Sequence, residues 1–256
     1  MAKVKLIDVT KCCACKGCQT ACKNWNQLPA QETTFVGSME NPSDFDANTW
    51  CRVMFNEHDG DPVKWYFSKF CCLHCSDPAC ASVCPVDAIG KSSLGSVNVD
   101  QETCIACGLC VSACPFNVPR LGGTDGKMYK CTQCFDRTGN QLNPACAKTC
   151  PTGTVSFGDK DAKISEANDR VAAISDKHPN AQVYGVEELG GLGTIYVLPD
   201  APDKCGLPAD PQVSLSTYFM YAALAPIKTL AAVGLTVGFM HKFLENKAAA
   251  QKENIE

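Results

Sequence analysis

Residues 104–115 read CIACGLCVSACP: Cys104, Cys107, Cys110 and Cys114 stand at the spacing C-x2-C-x2-C-x3-C, and Pro115 follows the last of them. Residues 12–22, CCACKGCQTAC, repeat that spacing with Cys12, Cys15, Cys18 and Cys22. Residues 72–85, CLHCSDPACASVCP, carry Cys72, Cys75, Cys80 and Cys84 with a middle gap of four. A last set, Cys131, Cys134, Cys146 and Cys150, opens the middle gap to eleven residues and again ends in Cys-Pro. Sixteen of the twenty cysteines therefore fall into four quartets.

A thiolate set of this kind suits a 4Fe-4S cluster. The cluster offers four irons at the corners of a tetrahedron, and a tight loop with cysteines three apart wraps three corners before the chain must leave. In two-cluster bacterial ferredoxins, whose run residues 104–115 match, the cysteine before the proline ligates the other cluster. Applied to this chain, the rule predicts four clusters in two nested pairs. The inner pair joins Cys72, Cys75, Cys80 with Cys114, and Cys104, Cys107, Cys110 with Cys84. The outer pair joins Cys12, Cys15, Cys18 with Cys150, and Cys131, Cys134, Cys146 with Cys22.

Zinc and disulphides are the competing uses of cysteine. Zinc sites are built from separated pairs, whereas each run here supplies three or four thiolates. Disulphide scaffolds are usually far shorter than 256 residues and follow a signal peptide. Of the remaining cysteines, Cys13 and Cys71 sit beside a first ligand, break the spacing if exchanged for it, and read as bystanders. Cys51 and Cys205 read as small buried hydrophobes. His74 lies inside a quartet that is complete without it, so it reads as a neighbour of the ligands or a surface group. With every set closed by four thiolates, no iron is open to substrate and no catalytic residue is expected.

Hydrophobic content of 45% includes the cysteines, so the aliphatic core is thin and the clusters replace part of it. A formal charge of -4 excludes an extended basic footprint for nucleic acid. Bound thiolates deepen that negative charge. Lys16, Lys23, Lys127, Lys130, Arg137 and Lys148 lie in or beside the runs, either offsetting the thiolates or simply solvated at the surface. Gly190, Gly191 and Gly193 do not form G-x-G-x-x-G opening a helix, which argues against direct nicotinamide reduction.

The order of elements predicts an α+β fold of two nested ferredoxin-like units, a small α/β addition and a C-terminal hydrophobic helix. The outer unit takes residues 1–26 and 125–158, an insert 27–70, the inner unit 71–124, the addition 159–210, the apolar helix 211–245 and a polar tail 246–256. Strands are expected at 3–9, 50–55, 63–67, 96–99, 182–185 and 193–198, with another in TGTVSFGD after Pro151. A helix is expected over 159–176, and Asp59-Gly60 marks a turn.

From Val213 to Met240 the sole charge is Lys228, with Tyr218, Phe219 and Tyr221 at one end and Phe239, His241 and Phe243 at the other. Thr229 to Met240 alone is too short to span a bilayer, but the stretch through Lys228 is long enough. It reads as a membrane helix with interfacial aromatic belts. The competing reading is a long apolar helix packed on a partner, and carbonate extraction of the complex separates the two. His241 reads as interfacial; its proposal as a haem ligand is the alternative.

The run DVTKCCACKGCQTACKNWNQLP, with Trp25 after the first quartet, resembles the opening of the iron-sulphur (beta) subunit of molybdenum or tungsten formate dehydrogenases. KCTQCFDRTGNQLNPACAKTCPTGTVSFGD and GTIYVLPDAPDKCGLPADP continue the likeness, and IKTLAAVGLTVGF resembles the single membrane helix of the membrane-bound respiratory type. Lys228 within that tail is a departure. The resemblance implies a non-catalytic electron wire: four clusters take electrons from a catalytic molybdopterin subunit that oxidises formate, and deliver them to a cytochrome b subunit and quinone. The cysteine pattern is shared with electron-transfer subunits of other molybdopterin oxidoreductases, acting on sulphur compounds or sulphoxides. A free-standing polyferredoxin is a further alternative, and the identity of the large subunit discriminates among them.

No N-terminal apolar segment with a cleavage site precedes Lys11, so no secretory signal is expected on this chain. Lys242, Lys247 and Lys252 after the apolar stretch favour a cytoplasmic C-terminus. The cluster head is then expected on the periplasmic side of the cell membrane, carried across with a signal-bearing catalytic partner. The alternative is a soluble or cytoplasm-facing complex.

Overall fold

The computed structural model describes residues 2–60 and 62–219, with residues 222 and 242. Its first strand, β1 (Lys3–Asp8), runs into the first cysteine loop and helix α1 (Gly17–Trp25). An insert then forms the hairpin β2 (Cys51–His58) and β3 (Lys64–Cys71), turning at the Asp59-Gly60 signal. The second cysteine run follows directly, with α2 (Ala79–Ser82), then β4 (Ile89–Lys91) and β5 (Val97–Val99). The third repeats that arrangement: α3 (Leu109–Ala113), then β6 (Arg120–Leu121) and β7 (Met128–Tyr129). The fourth run spans α4 (Phe135–Gly139) and α5 (Ala145–Thr149) and leads into β8 (Val155–Asp159). Helix α6 (Lys160–Ile174) and strands β9 (Gln182–Tyr184) and β10 (Thr194–Leu198) complete the ordered elements, in the places the sequence pattern predicts.

Four strands form one sheet in the order β8-β1-β10-β9. β1 lies parallel to β10 and antiparallel to β8, and β9 lies antiparallel to β10. The segment expected as an α/β addition therefore contributes two strands to a layer that begins at residue 3. Alternation along β1 sorts its side chains. Val4 and Leu6 pack with Ala167 and Ile174 of α6, helped by Ile164 and Val171, which recur at helical spacing. Each such aliphatic group contributes about 1.5–3 kcal/mol on full burial. Ile7 faces the other way, into a core with Tyr184, Tyr196 and Leu198 against which Cys18, Cys72, Cys75, Cys114 and Cys150 also pack. One face of the sheet thus takes the helix and the other carries the cysteine loops.

The loops are tied to one another as well as to the sheet. α1 packs on α5, so the first run meets the fourth, and α2 packs on α3, so the second meets the third. β1, which enters the first run, pairs with β8, which leaves the fourth.

The chain divides into two compact units, residues 1–213 and 214–256. In the second, Ser214 opens a helical turn over 215–219, its carbonyl accepting the Thr217 N–H at 2.9 Å. Most of the apolar stretch predicted over 211–245, His241 included, lies outside the described residues. Among the described residues no helix is long and apolar enough to cross a membrane.

Candidate metal centres

In each run the residue two after the first cysteine adopts the left-handed conformation: Ala14, His74, Ala106 and Gln133, with φ of 56°, 50°, 60° and 59°. None is glycine, so each costs about 1–2 kcal/mol. A strained position repeated four times at one offset marks a functional constraint. The turn brings the residue's own N–H back onto the preceding sulphur: His74 N–H donates to Cys72 Sγ at 3.5 Å and Gln133 N–H to Cys131 Sγ at 3.4 Å. The third cysteine of each run then sits on a short helix, as Cys18 does on α1, Cys80 on α2, Cys110 on α3 and Cys146 on α5. After each Cys-Pro a second left-handed residue, Asp87, Asn117 or Gly153, turns the chain away. Behind the first of these turns, Ala88 N–H reaches Cys84 Sγ at 3.3 Å.

Three cavities lie where these loops meet. Cys104, Cys107 and Cys110 line one together with Cys84. Cys72, Cys75 and Cys80 line one together with Cys114. Cys131, Cys134 and Cys146 line one together with Cys22. In every case three thiols of one run meet a fourth from another, and Cys51, outside the four runs, also lines the last cavity. Of the remaining set, Cys12 has the Cys13, Cys150 and Cys15 sulphurs close enough to reinforce the upward push that burial gives its pKa. Cys18 and Cys150 pack on the same core.

The residues present fit a cluster of irons. Among the described residues no three His, Cys, Asp or Glu side chains converge tightly enough for a single metal ion. The thiols of each of the three sets surround a shared space instead. Two buried polar atoms on the cavity walls lack partners, His74 Nε2 and Gln133 Oε1. His74 is 1% exposed, and its Nδ1 accepts the Val97 N–H at 3.0 Å, so Nε2 carries the proton and stands ready to donate. Burial and neighbouring sulphurs push the Cys110 thiol up to about 11, and that of Cys80 to about 12 despite the counteracting Lys130 charge. Four crowded thiols resist losing their protons together, and bound iron supplies the positive charge that reverses this.

Cations also line two cavities. Lys130 borders the one holding Cys114, with Nζ bonded to the Val97 carbonyl. Lys5 and Lys69, 0% and 2% exposed, border the one holding Cys22. Both ammoniums donate to Cys71 Sγ at 3.0 Å, and Lys5 also reaches Cys131 Sγ at 3.6 Å. Burial alone would lower Lys5, but the Cys131 and Cys71 sulphurs more than reverse it and hold its pKa above the ordinary lysine value. Cys71 is held well below the ordinary thiol range by its bond from Cys131, against burial, with both lysines assisting.

Cys71, expected as a bystander, is thus a buried acceptor between two ammoniums. His74, for which a surface position was one reading, is buried. Cys51 and Cys205 are buried as expected, and Cys13 is exposed. Lys5 and Lys69 went unnoticed in the sequence, although Lys5 shares the inward phase of β1 with Ile7. Of the six basic residues beside the runs, Lys130 alone is buried. Trp25 donates its indole N–H to Asp136 at 2.8 Å, and the Arg137 guanidinium lies 4.2 Å from its ring centroid. The flanks of the first and fourth runs are joined there.

The 4Fe-4S dicluster domain family matches residues 63–160. The chain is 38% identical to the formate dehydrogenase iron-sulphur subunit of Haemophilus influenzae, over 98% of this chain and 88% of that protein. It is 39% identical to the nitrate-inducible formate dehydrogenase iron-sulphur subunit of Escherichia coli, over 94% and 84%. To formate dehydrogenase 2 subunit beta (cytochrome c-553) of Nitratidesulfovibrio vulgaris it is 37% identical, over 77% and 94%.

Proposed function

The chain belongs to the family of formate dehydrogenase iron-sulphur subunits, and on that footing we propose that it conducts electrons from a separate molybdopterin subunit to a membrane acceptor. It is an electron-transfer subunit of a formate dehydrogenase complex and not the catalytic one. We assign one 4Fe-4S cluster each to Cys12, Cys15, Cys18, Cys150; to Cys22, Cys131, Cys134, Cys146; to Cys72, Cys75, Cys80, Cys114; and to Cys84, Cys104, Cys107, Cys110. The observation that carries this is the crossed lining of the three cavities, each completed by a thiol from a second run.

When bound, each cluster supplies a one-electron carrier. The chain's own residues supply four thiolates per site, N–H donors to the sulphurs and largely apolar walls around them. Nesting is supported by α1 on α5 and β1 beside β8 for an outer unit of residues 1–26 and 125–158. α2 on α3 supports an inner unit over 71–124, with 27–70 as its insert and 159–210 as the addition. The apolar composition of 211–245 supports a membrane anchor beside a cytochrome b subunit that reduces quinone. A haem acceptor is in keeping with the N. vulgaris relative, whose name includes cytochrome c-553. The lysines after the apolar stretch support a periplasmic head, and protease protection of that head on the cytoplasmic side would reject the topology.

Electron paramagnetic resonance of the purified complex tests the ligand sets. Cys114→Ala is expected to remove the signal that Cys80→Ala removes and to cut bound iron by about a quarter. Loss instead of the signal that Cys107→Ala removes would refute the crossed pairing.

A further inference from the structure

The cavity lined by Cys22, Cys131, Cys134 and Cys146 differs from the other two in its charge. Lys5 and Lys69 reach its wall from β1 and β3, both buried, and neither is paired with a carboxylate. Lysine is almost never fully buried without a partner. The sulphur shared by the two ammoniums, Cys71, offsets at most one of the two charges. No carboxylate belongs to the lining; Asp136, near Cys134, is exposed and occupied with Trp25. The cavity of Cys72, Cys75, Cys80 and Cys114 has one ammonium, Lys130. That of Cys84, Cys104, Cys107 and Cys110 is lined only by apolar residues and the cysteines themselves.

One-electron reduction adds a negative charge to whichever site receives it, and a fixed cation nearby in a low-dielectric interior favours that step. We propose that Lys5 and Lys69 raise the reduction potential of the Cys22/Cys131/Cys134/Cys146 site and make it the electron sink of these three, with Lys130 raising the Cys72/Cys75/Cys80/Cys114 site by a single charge. Water at exposed Cys107 acts in the same sense on the apolar site, but it is mobile solvent, whereas Lys5 is fixed within reach of the Cys131 sulphur and Lys69 is fixed in the wall beside it. The inference rests on the ligand sets assigned above.

The test is a redox titration of the purified complex followed by electron paramagnetic resonance. The signal that disappears in Cys134→Ala is expected to move to lower potential in Lys69→Met and in Lys5→Met, and by more than any other signal moves. Lys130→Met is expected to lower the signal that Cys80→Ala removes and, since Lys130 Nζ also reaches the Cys131 carbonyl at 3.3 Å, to lower the Cys134 signal by less. Lys69→Gln keeps an N–H donor without the charge and is expected to shift as Lys69→Met does. A wild-type potential in both Lys5→Met and Lys69→Met overturns the proposal, and a wild-type potential in Lys69→Gln alone assigns the effect to the hydrogen bond and overturns the charge argument. Loss of that site's iron in both Lys69 variants would make the lysine a holder of the site and overturn a tuning role. If Cys134→Ala removes no signal, the ligand assignment itself falls, an outcome separable from all of these.

Discussion

Replacing Gly193 by alanine tests whether the sheet holds the second cysteine loop in place. Gly193 precedes β10, and its N–H donates to the carbonyls of Leu73 and His74 at 2.8 and 3.0 Å. Thr194 N–H also reaches the Leu73 carbonyl at 3.0 Å, and Ser76 N–H reaches the Gly191 carbonyl at 2.8 Å. A methyl group at residue 193 would lie 2.8 Å from His74 Cβ and 2.9 Å from the His74 carbonyl oxygen. Ordinary contact begins near 3.4 Å and the obstacle is partly backbone, so the loop must retreat by about half an ångström. Overpacking of this kind costs about 1–3 kcal/mol. Each buried hydrogen bond that lengthens forfeits up to about 1 kcal/mol more. The sum is about 2–4 kcal/mol, a fall of roughly 5–15 °C in the unfolding midpoint for a chain of this size. Thermal unfolding of the holo-complex and its paramagnetic spectrum are the assays, with Gly90→Ala as control, since a methyl there meets nothing within 4 Å. The control is expected to melt with wild type, whereas Gly193→Ala melts early and perturbs the signal assigned to Cys72, Cys75, Cys80 and Cys114. A Gly193→Ala protein with wild-type midpoint and spectrum would refute the docking argument.

Asp200 supplies a pH-dependent contribution. Although burial opposes ionisation, the Ala201 N–H at 2.9 Å, Asn180 at 3.2 Å and Lys204 at 3.3 Å hold its pKa down to about 2. A carboxylate depressed on folding stabilises fully above its unfolded pKa near 3.9, so about 2 kcal/mol is present at pH 7 and lost as pH falls from about 4 to about 2. Asp200→Asn is therefore expected to cost that much in urea unfolding at pH 7 and progressively less below pH 4; a pH-independent cost would contradict the assignment. Arg170 on α6 bonds Asp8 at the end of β1 at 2.9 Å, and Asp8 keeps the Thr10 N–H and Lys11 when it is lost. Arg170→Ala should destabilise by about 1–2 kcal/mol in the same assay. At the left-handed Ala106, valine adds a β-branched clash to the strained backbone, costing about 1–2 kcal/mol beyond alanine, whereas glycine relieves it. Iron analysis is expected to show depletion of the Cys104/Cys107/Cys110 site in Ala106→Val and full loading in Ala106→Gly.

The amino-acid sequence by itself determined what is local. Cysteines three apart set the loop geometry, alternation marked β1, strand-forming composition marked β2 and β10, and the 3.6-residue recurrence of Ile164, Ala167, Val171 and Ile174 marked α6. These properties depend on neighbours within a turn or two of chain, which spacing records. Tertiary structure decided the rest: how β9 and β10 join β1, that Cys51 and Cys71 lie beside the Cys131 loop, and which basic residues lose contact with water. Lys5 and Lys69 are 64 residues apart and meet at one sulphur because β1 and the end of β3 converge there. Nothing local distinguishes Lys69 from a solvated lysine. Burial is a property of the assembled layers, and a charge acquires its effect on a neighbouring site only once those layers have excluded the water around it.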